Sequence, residues 1–110
     1  MSNTKEEVRK ELDRINNEVR EIMMGKMYQL KEEKEKEKNG EKFERKEVIE
    51  LSKKMDKSFK NLLDSYIKDR TIIDYNHELY FTTNQDDTKL MPTLVVSVVT
   101  KESKKLSEEL

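Results

Sequence analysis

Two stretches of the chain place apolar residues at helical spacing. In the first, Val8, Leu12, Ile15, Val19 and Ile22 recur at alternating steps of four and three, which marks one buried face of a helix. Thr4 precedes the stripe and Glu7 follows three residues later, a pairing that predicts a capped helix start. The stripe then moves to Met23, Met27 and Leu30, with Gly25 inside the shifted region. The two four-residue steps from Val19 through Met23 to Met27 unwind a heptad seam, and a mid-helix glycine costs about 1 kcal/mol relative to alanine. A bend or a close helix approach is expected near Gly25. Every residue from Lys31 to Lys38 is charged. The like-charge pairs Glu33/Glu37 and Lys34/Lys38 predict a frayed helix end that buries nothing, although Glu32/Lys36 helps. Asn39-Gly40 tolerates the left-handed conformation and should stop the helix there.

The second stretch runs from Val48 to Tyr66. Its seam positions at period 3.5 are Val48, Ser52, Met55, Phe59, Leu62 and Tyr66, apolar apart from Ser52. The predicted fold class is therefore all-α: an antiparallel two-helix hairpin over residues 4 to 38 and 44 to 69, turning at Asn39-Gly40. Beyond Arg70 the pattern changes. Tyr75, Tyr80, Phe81, the turn-like Asn84-Gln85-Asp86-Asp87, Pro92 and the run Val95-Val96-Ser97-Val98-Val99 indicate extended structure. Leu79 to Thr83 and Thr93 to Thr100 could pair, but two strands alone are marginal in water. Lys101 to Leu110 is polar with weak helical character. This reading divides the chain into a helical hairpin, residues 1–70, and a C-terminal appendage, residues 71–110, dispensable for folding of the hairpin. Each helix buries one stripe, so further burial is expected from the tail or from self-association as a homodimer.

Composition narrows the classes of function. Of 110 residues, 33% are apolar and 43% charged, which favours thin helical structure over a thick core. The 23 basic and 24 acidic residues nearly cancel, so no nucleic-acid partner is expected. The absence of cysteine excludes disulfides, thiol nucleophiles and Cys-type zinc sites. Residues Met1 to Glu7 carry no apolar signal core and no run reaches membrane-spanning length, so a cytoplasmic protein without a membrane partner is expected.

The candidate chemistry centres on Ser52 and on Asp56, one helical turn further along. Mid-helix serines ordinarily bond back to the carbonyl four residues earlier, and Asp56 has Lys60 within reach on the helix surface. Against those ordinary roles stands the surrounding sequence. Glu47-Val48-Ile49-Glu50-Leu51-Ser52-Lys53-Lys54-Met55-Asp56 resembles the signature helix of the small stage-zero sporulation regulators, the aspartyl-phosphate phosphatases of spore-forming bacteria. Their motif reads Ser-Gln-Glu-Leu-Asp. Ser52 and Asp56 match its ends, Met55 replaces its leucine, and Tyr66 fits its closing tyrosine. Val19-Arg20-Glu21 and Met27-Tyr28-Gln29-Leu30 resemble that family's first helix and Asn39-Gly40 its loop, so the likeness covers about residues 15 to 67. Lys53 and Lys54 depart from the motif by replacing its amide and acid.

The resemblance implies a phosphatase of a phospho-aspartyl response regulator, a negative regulator of sporulation-type phosphorelay signalling. The partner would be a phosphorylated receiver domain, which brings its own Mg²⁺, and the chain itself would need no cofactor. It implies Asp56 and Ser52 as catalytic residues, with Lys53, Met55 and Phe59 touching the partner. If the motif glutamine positions water, lysine at position 53 lowers or removes activity. The alternative function is a non-catalytic helical-hairpin module for protein interaction or dimerisation, with Ser52 setting the register. His77, the only histidine, reads as a surface residue. Met23, Met24 and Met27 read as helix–helix core, and no metal-binding or phosphate-loop motif is present.

Overall fold

The computed structural model describes residues 4–109; the ends of the two expected segments, residues 1–3 and 110, lie outside the described residues. Helix α1 spans Lys5–Lys38 and α2 Arg45–Lys68; strands β1 (Asp74–Thr83) and β2 (Leu90–Val99) follow, then α3 (Lys101–Glu109). Both long helices lie where their stripes put them. Thr4 Oγ1 accepts the Glu7 N–H and Glu7 Oε2 accepts the Thr4 N–H, which closes the capping box. Asn39 (φ 52°) and Gly40 (φ 84°) both turn left-handed, so the stop is made as those residue types allow.

The chain is a mixed α/β protein, which corrects the all-α expectation. β1 and β2 form an antiparallel pair ten residues long, from Asp74 opposite Val99 to Thr83 opposite Leu90. The cause is period-two patterning. Tyr75, His77, Leu79 and Phe81 face one side of β1, and Leu90, Leu94, Val96 and Val98 are their companions on β2. Helix α2 packs under β1 and α1 under β2, and each helix touches its strand more than it touches the other helix. One apolar cluster runs through everything: Ile15, Val19, Met23 and Met27 from α1, Val48 to Leu63 from α2, and Ile72, Leu79, Phe81, Leu90 and Val98 beyond residue 70. Residues 72–98 therefore supply one wall of the core, and the expected boundary at residue 70 passes through shared packing.

The buried rows also differ from a heptad seam. After Val8 in α1 and Val48 in α2 they read Ile15, Val19, Met23, Met27 and Leu51, Met55, Phe59, Leu63. Steps of four trace a ridge oblique to the helix axis, and in both helices that ridge belongs to the cluster shared with the strand pair. Gly25 is exposed with no neighbour near it, so no close approach occurs there. The charged run also departs from expectation. It is helical to Lys38, with Lys31 Nζ on Glu35 Oε1 at 2.8 Å and Lys38 Nζ on Glu47 Oε1 of α2 at 2.9 Å. Lys31, Glu35 and Lys38 are mostly covered, which a solvated, fraying end would not be.

The strand pair is held at its rims by helix side chains. The Phe81 N–H donates to Ser52 Oγ (3.0 Å), Val98 N–H to Asn16 Oδ1 (2.9 Å) and Leu90 N–H to Glu35 Oε2 (3.1 Å). Inward-facing residues thus direct their amides away from the partner strand, so the pair Phe81–Pro92 is of the type without cross-strand hydrogen bonds. Pro92 sits where no cross-strand donor is required. The connecting loop is tied back as well: Asn84 Oδ1 accepts from the Thr88 and Lys89 amides, and the Asp87 carbonyl accepts the Phe43 N–H at 2.7 Å. Thr100, itself buried, caps α3 by accepting the Ser103 N–H on its Oγ1.

Candidate functional site

Ser52 and Asp56 project from the same side of α2, toward β1. The Ser52 hydroxyl donates to the Val48 carbonyl at 2.9 Å and accepts the Phe81 N–H at 3.0 Å. Its donor and an acceptor are both engaged, so the polar exception in the helical seam is explained by a strand amide 29 residues further on. Asp56 is different. Its side chain is 51% exposed, and Oδ1 lies 2.8 Å from Nε2 of His77, whose side chain is only 12% exposed. The partner of Asp56 is His77 and not Lys60, and His77 belongs to the inward row of β1, not to the open surface. A third polar link continues the seam, because the Tyr75 hydroxyl donates to Asp64 Oδ1 at 2.8 Å. Burial, that hydrogen bond and the neighbouring carboxylates push the Tyr75 phenol up to about 12.

Around Asp56 the surface forms a shallow hollow lined by Ser52, Lys53, Asp56, Glu78, Leu79 and Tyr80. Lys53 stands exposed at its side. Of the other expected partner contacts, Met55 and Phe59 are 6% and 2% exposed and belong to the core. Both also floor a groove of about 320 Å³ between α1 and α2, shared with Ile22, Leu30 and Leu62 and rimmed by Lys26, Glu33 and Lys54. The structure therefore joins Ser52, Lys53 and Asp56 in one hollow and leaves Met55 and Phe59 outside it.

His77 is the residue that helical reasoning missed. Its signal was the alternation of Tyr75, His77, Leu79 and Phe81 against Asp74, Asn76, Glu78 and Tyr80. That pattern extends the strand back to Asp74 and turns His77 inward. Among the described residues no group of three or more His, Cys, Asp or Glu side chains is placed to hold a metal ion, and no helix is long and apolar enough to cross a membrane. Chemically, the hollow offers two accessible carboxylates, Asp56 with an oriented neighbour and Glu78 on β1, beside a flanking ammonium. Compared with known protein families, with curated proteins and with solved structures, the chain matches none.

Proposed function

We propose that the chain is a protein phosphatase acting on the phospho-aspartate of a response-regulator receiver, with Asp56 as its reactive residue. The observation that carries this reading is the state of Asp56: half exposed, on a rigid helix, with Oδ1 held by His77 and Oδ2 left for a further partner. The resemblance of residues 47–56 to the phosphatase signature supplies the class of substrate. The receiver would contribute its own Mg²⁺ and cationic stabilisation, so this chain need only add a group that takes a proton from the attacking water. In that step the water oxygen bonds to phosphorus and its proton passes to Asp56. The bond from phosphorus to the aspartyl oxygen breaks, its electron pair stays on the receiver carboxylate, and inorganic phosphate departs. Lys53 would meet the acidic mouth of the receiver. Ser52 moves from a catalytic to a framework role, because its hydroxyl holds β1.

The reading is tested by the lifetime of phosphorylated receiver domains with Mg²⁺ and the purified chain. The chain should shorten that lifetime, and Asp56→Asn should reduce the acceleration by about a hundredfold, the scale of general-base catalysis. A second reading, a non-catalytic interaction module, is favoured by one observation: with Ser52 committed and lysines at 53 and 54, the hollow has no amide to orient water. Binding of the receiver without any shortening of its phosphoryl lifetime would establish that second reading.

A further inference from the structure

We propose that His77 is a positioning residue for Asp56, an inference that rests on the phosphatase reading and adds to it a group from outside the helical signature. An exposed aspartate on a helix ordinarily samples several rotamers. Here one carboxylate oxygen is fixed 2.8 Å from Nε2 of an imidazole that is itself largely covered. The imidazole is held in turn by its place in the sheet. It lies opposite Val96, its ring centroid is 5.6 Å from that of Tyr75, and Tyr75 is anchored to α2 through Asp64. An ionised carboxylate can only accept, so Nε2 carries the proton of this bond. Oδ1 is thereby committed and Oδ2 is turned to the hollow as the oxygen that receives the proton of the water. His77 stands behind Asp56 and orients it; the proton goes to Asp56.

Positioning and proton transfer by His77 give different results. His77→Gln keeps an N–H donor at a similar reach, whereas His77→Leu keeps bulk and loses the donor. In the receiver lifetime assay with the full chain, His77→Gln should stay within about threefold of the unaltered protein and share its pH profile. His77→Leu should lower the maximal rate by roughly tenfold or more, the cost of a poorly held catalytic group, at an unchanged half-saturating concentration. Nitrogen-15 NMR of the unaltered chain should find a proton on Nε2, a readout that needs neither a variant nor activity. A leucine variant as active as the parent overturns the proposal. So does a glutamine variant as impaired as leucine with a displaced pH profile, since the imidazole would then be the base. An Nε2 that carries no proton overturns it whatever the activity. If the unaltered chain fails to accelerate dephosphorylation while the Nε2 proton is present, the phosphatase reading is what fails, and the positioning role falls with it.

Discussion

The two flanks of the strand pair are built differently. Along the α1–β2 flank, Asn16 and Glu35 accept hydrogen bonds from the backbone amides of Val98 and Leu90. Those bonds do not depend on which side chains β2 carries. Along the α2–β1 flank only Ser52 meets a backbone amide; Asp56 and Asp64 meet the side chains of His77 and Tyr75. Backbone-directed bonds fix the frame, and side-chain bonds at a partly open surface hold groups that can also meet a partner. The first flank is bonded through backbone amides alone, and the second adds side-chain pairs that include the half-exposed Asp56.

Removing the strands should have the largest effect. A chain ended at Arg70 loses Ile72, Leu79, Phe81, Leu90 and Val98 from the core and uncovers Val19, Met23 and Phe59. Cooperative thermal unfolding, followed by far-UV circular dichroism, should disappear and helical signal should fall. A truncated chain with a sharp melt and full helicity would restore the tail to the status of an appendage.

Point substitutions act on single bonds of each flank. Ser52→Ala and Asn16→Ala each strand a strand amide, a loss of about 1–3 kcal/mol that alanine's better helix propensity only partly offsets. Asp64→Asn disturbs an exposed side-chain pair and should change stability by under ~1 kcal/mol. Denaturant melts of the three variants test this ranking. Equal costs for Ser52→Ala and Asp64→Asn would erase the distinction between framing and presenting bonds.

The smallest effects separate the flanks by pH. Burial alone would raise the Glu35 carboxyl, but the hydrogen bonds from Lys31 and the Leu90 amide outweigh it and hold its pKa below the ordinary 4.5. Its contribution is therefore present above the unfolded value and is lost as pH falls through the folded one. Tyr75, pushed up to about 12 from 10.0, stabilises below pH 10 and loses that contribution as pH rises toward 12. The α1–β2 flank should weaken in acid and the α2–β1 flank in alkali. The acid slope of stability against pH should become shallower in Glu35→Gln and the alkaline slope shallower in Tyr75→Phe; the reverse assignment would refute the division.

Much of the helical architecture was legible in the chain. Thr4 with Glu7, the two apolar stripes and Asn39-Gly40 are local signals, and local signals are what periodicity reads. Apolar and β-branched content marks the strands only from Leu79 and from Thr93, because a tyrosine and a histidine at 75 and 77 do not register as an apolar row. Lys31 to Lys38 looked solvated because the partners that steady it, Glu47 and the Leu90 amide, lie across the turn and on β2. Ser52 stood out correctly as an exception in its seam, but its reason is a contact with Phe81 that only the folded chain creates. Asp56 was legible as a candidate from its neighbours in sequence; its link to His77 was not, since it depends on the register in which β1 lies along α2.

The placement of Pro92 has a consequence for how this protein meets other copies of itself when crowded. A bare ribbon rich in valine can template the growth of amyloid-like stacks, one strand adding to the next. Along the outer rim of β2 the positions that could donate to an incoming strand are 90, 92, 94, 96 and 98. Leu90 and Val98 are already occupied by Glu35 and Asn16, and proline offers nothing at 92. Only Leu94 and Val96 remain as neighbours, a foothold too short for a foreign strand to register against.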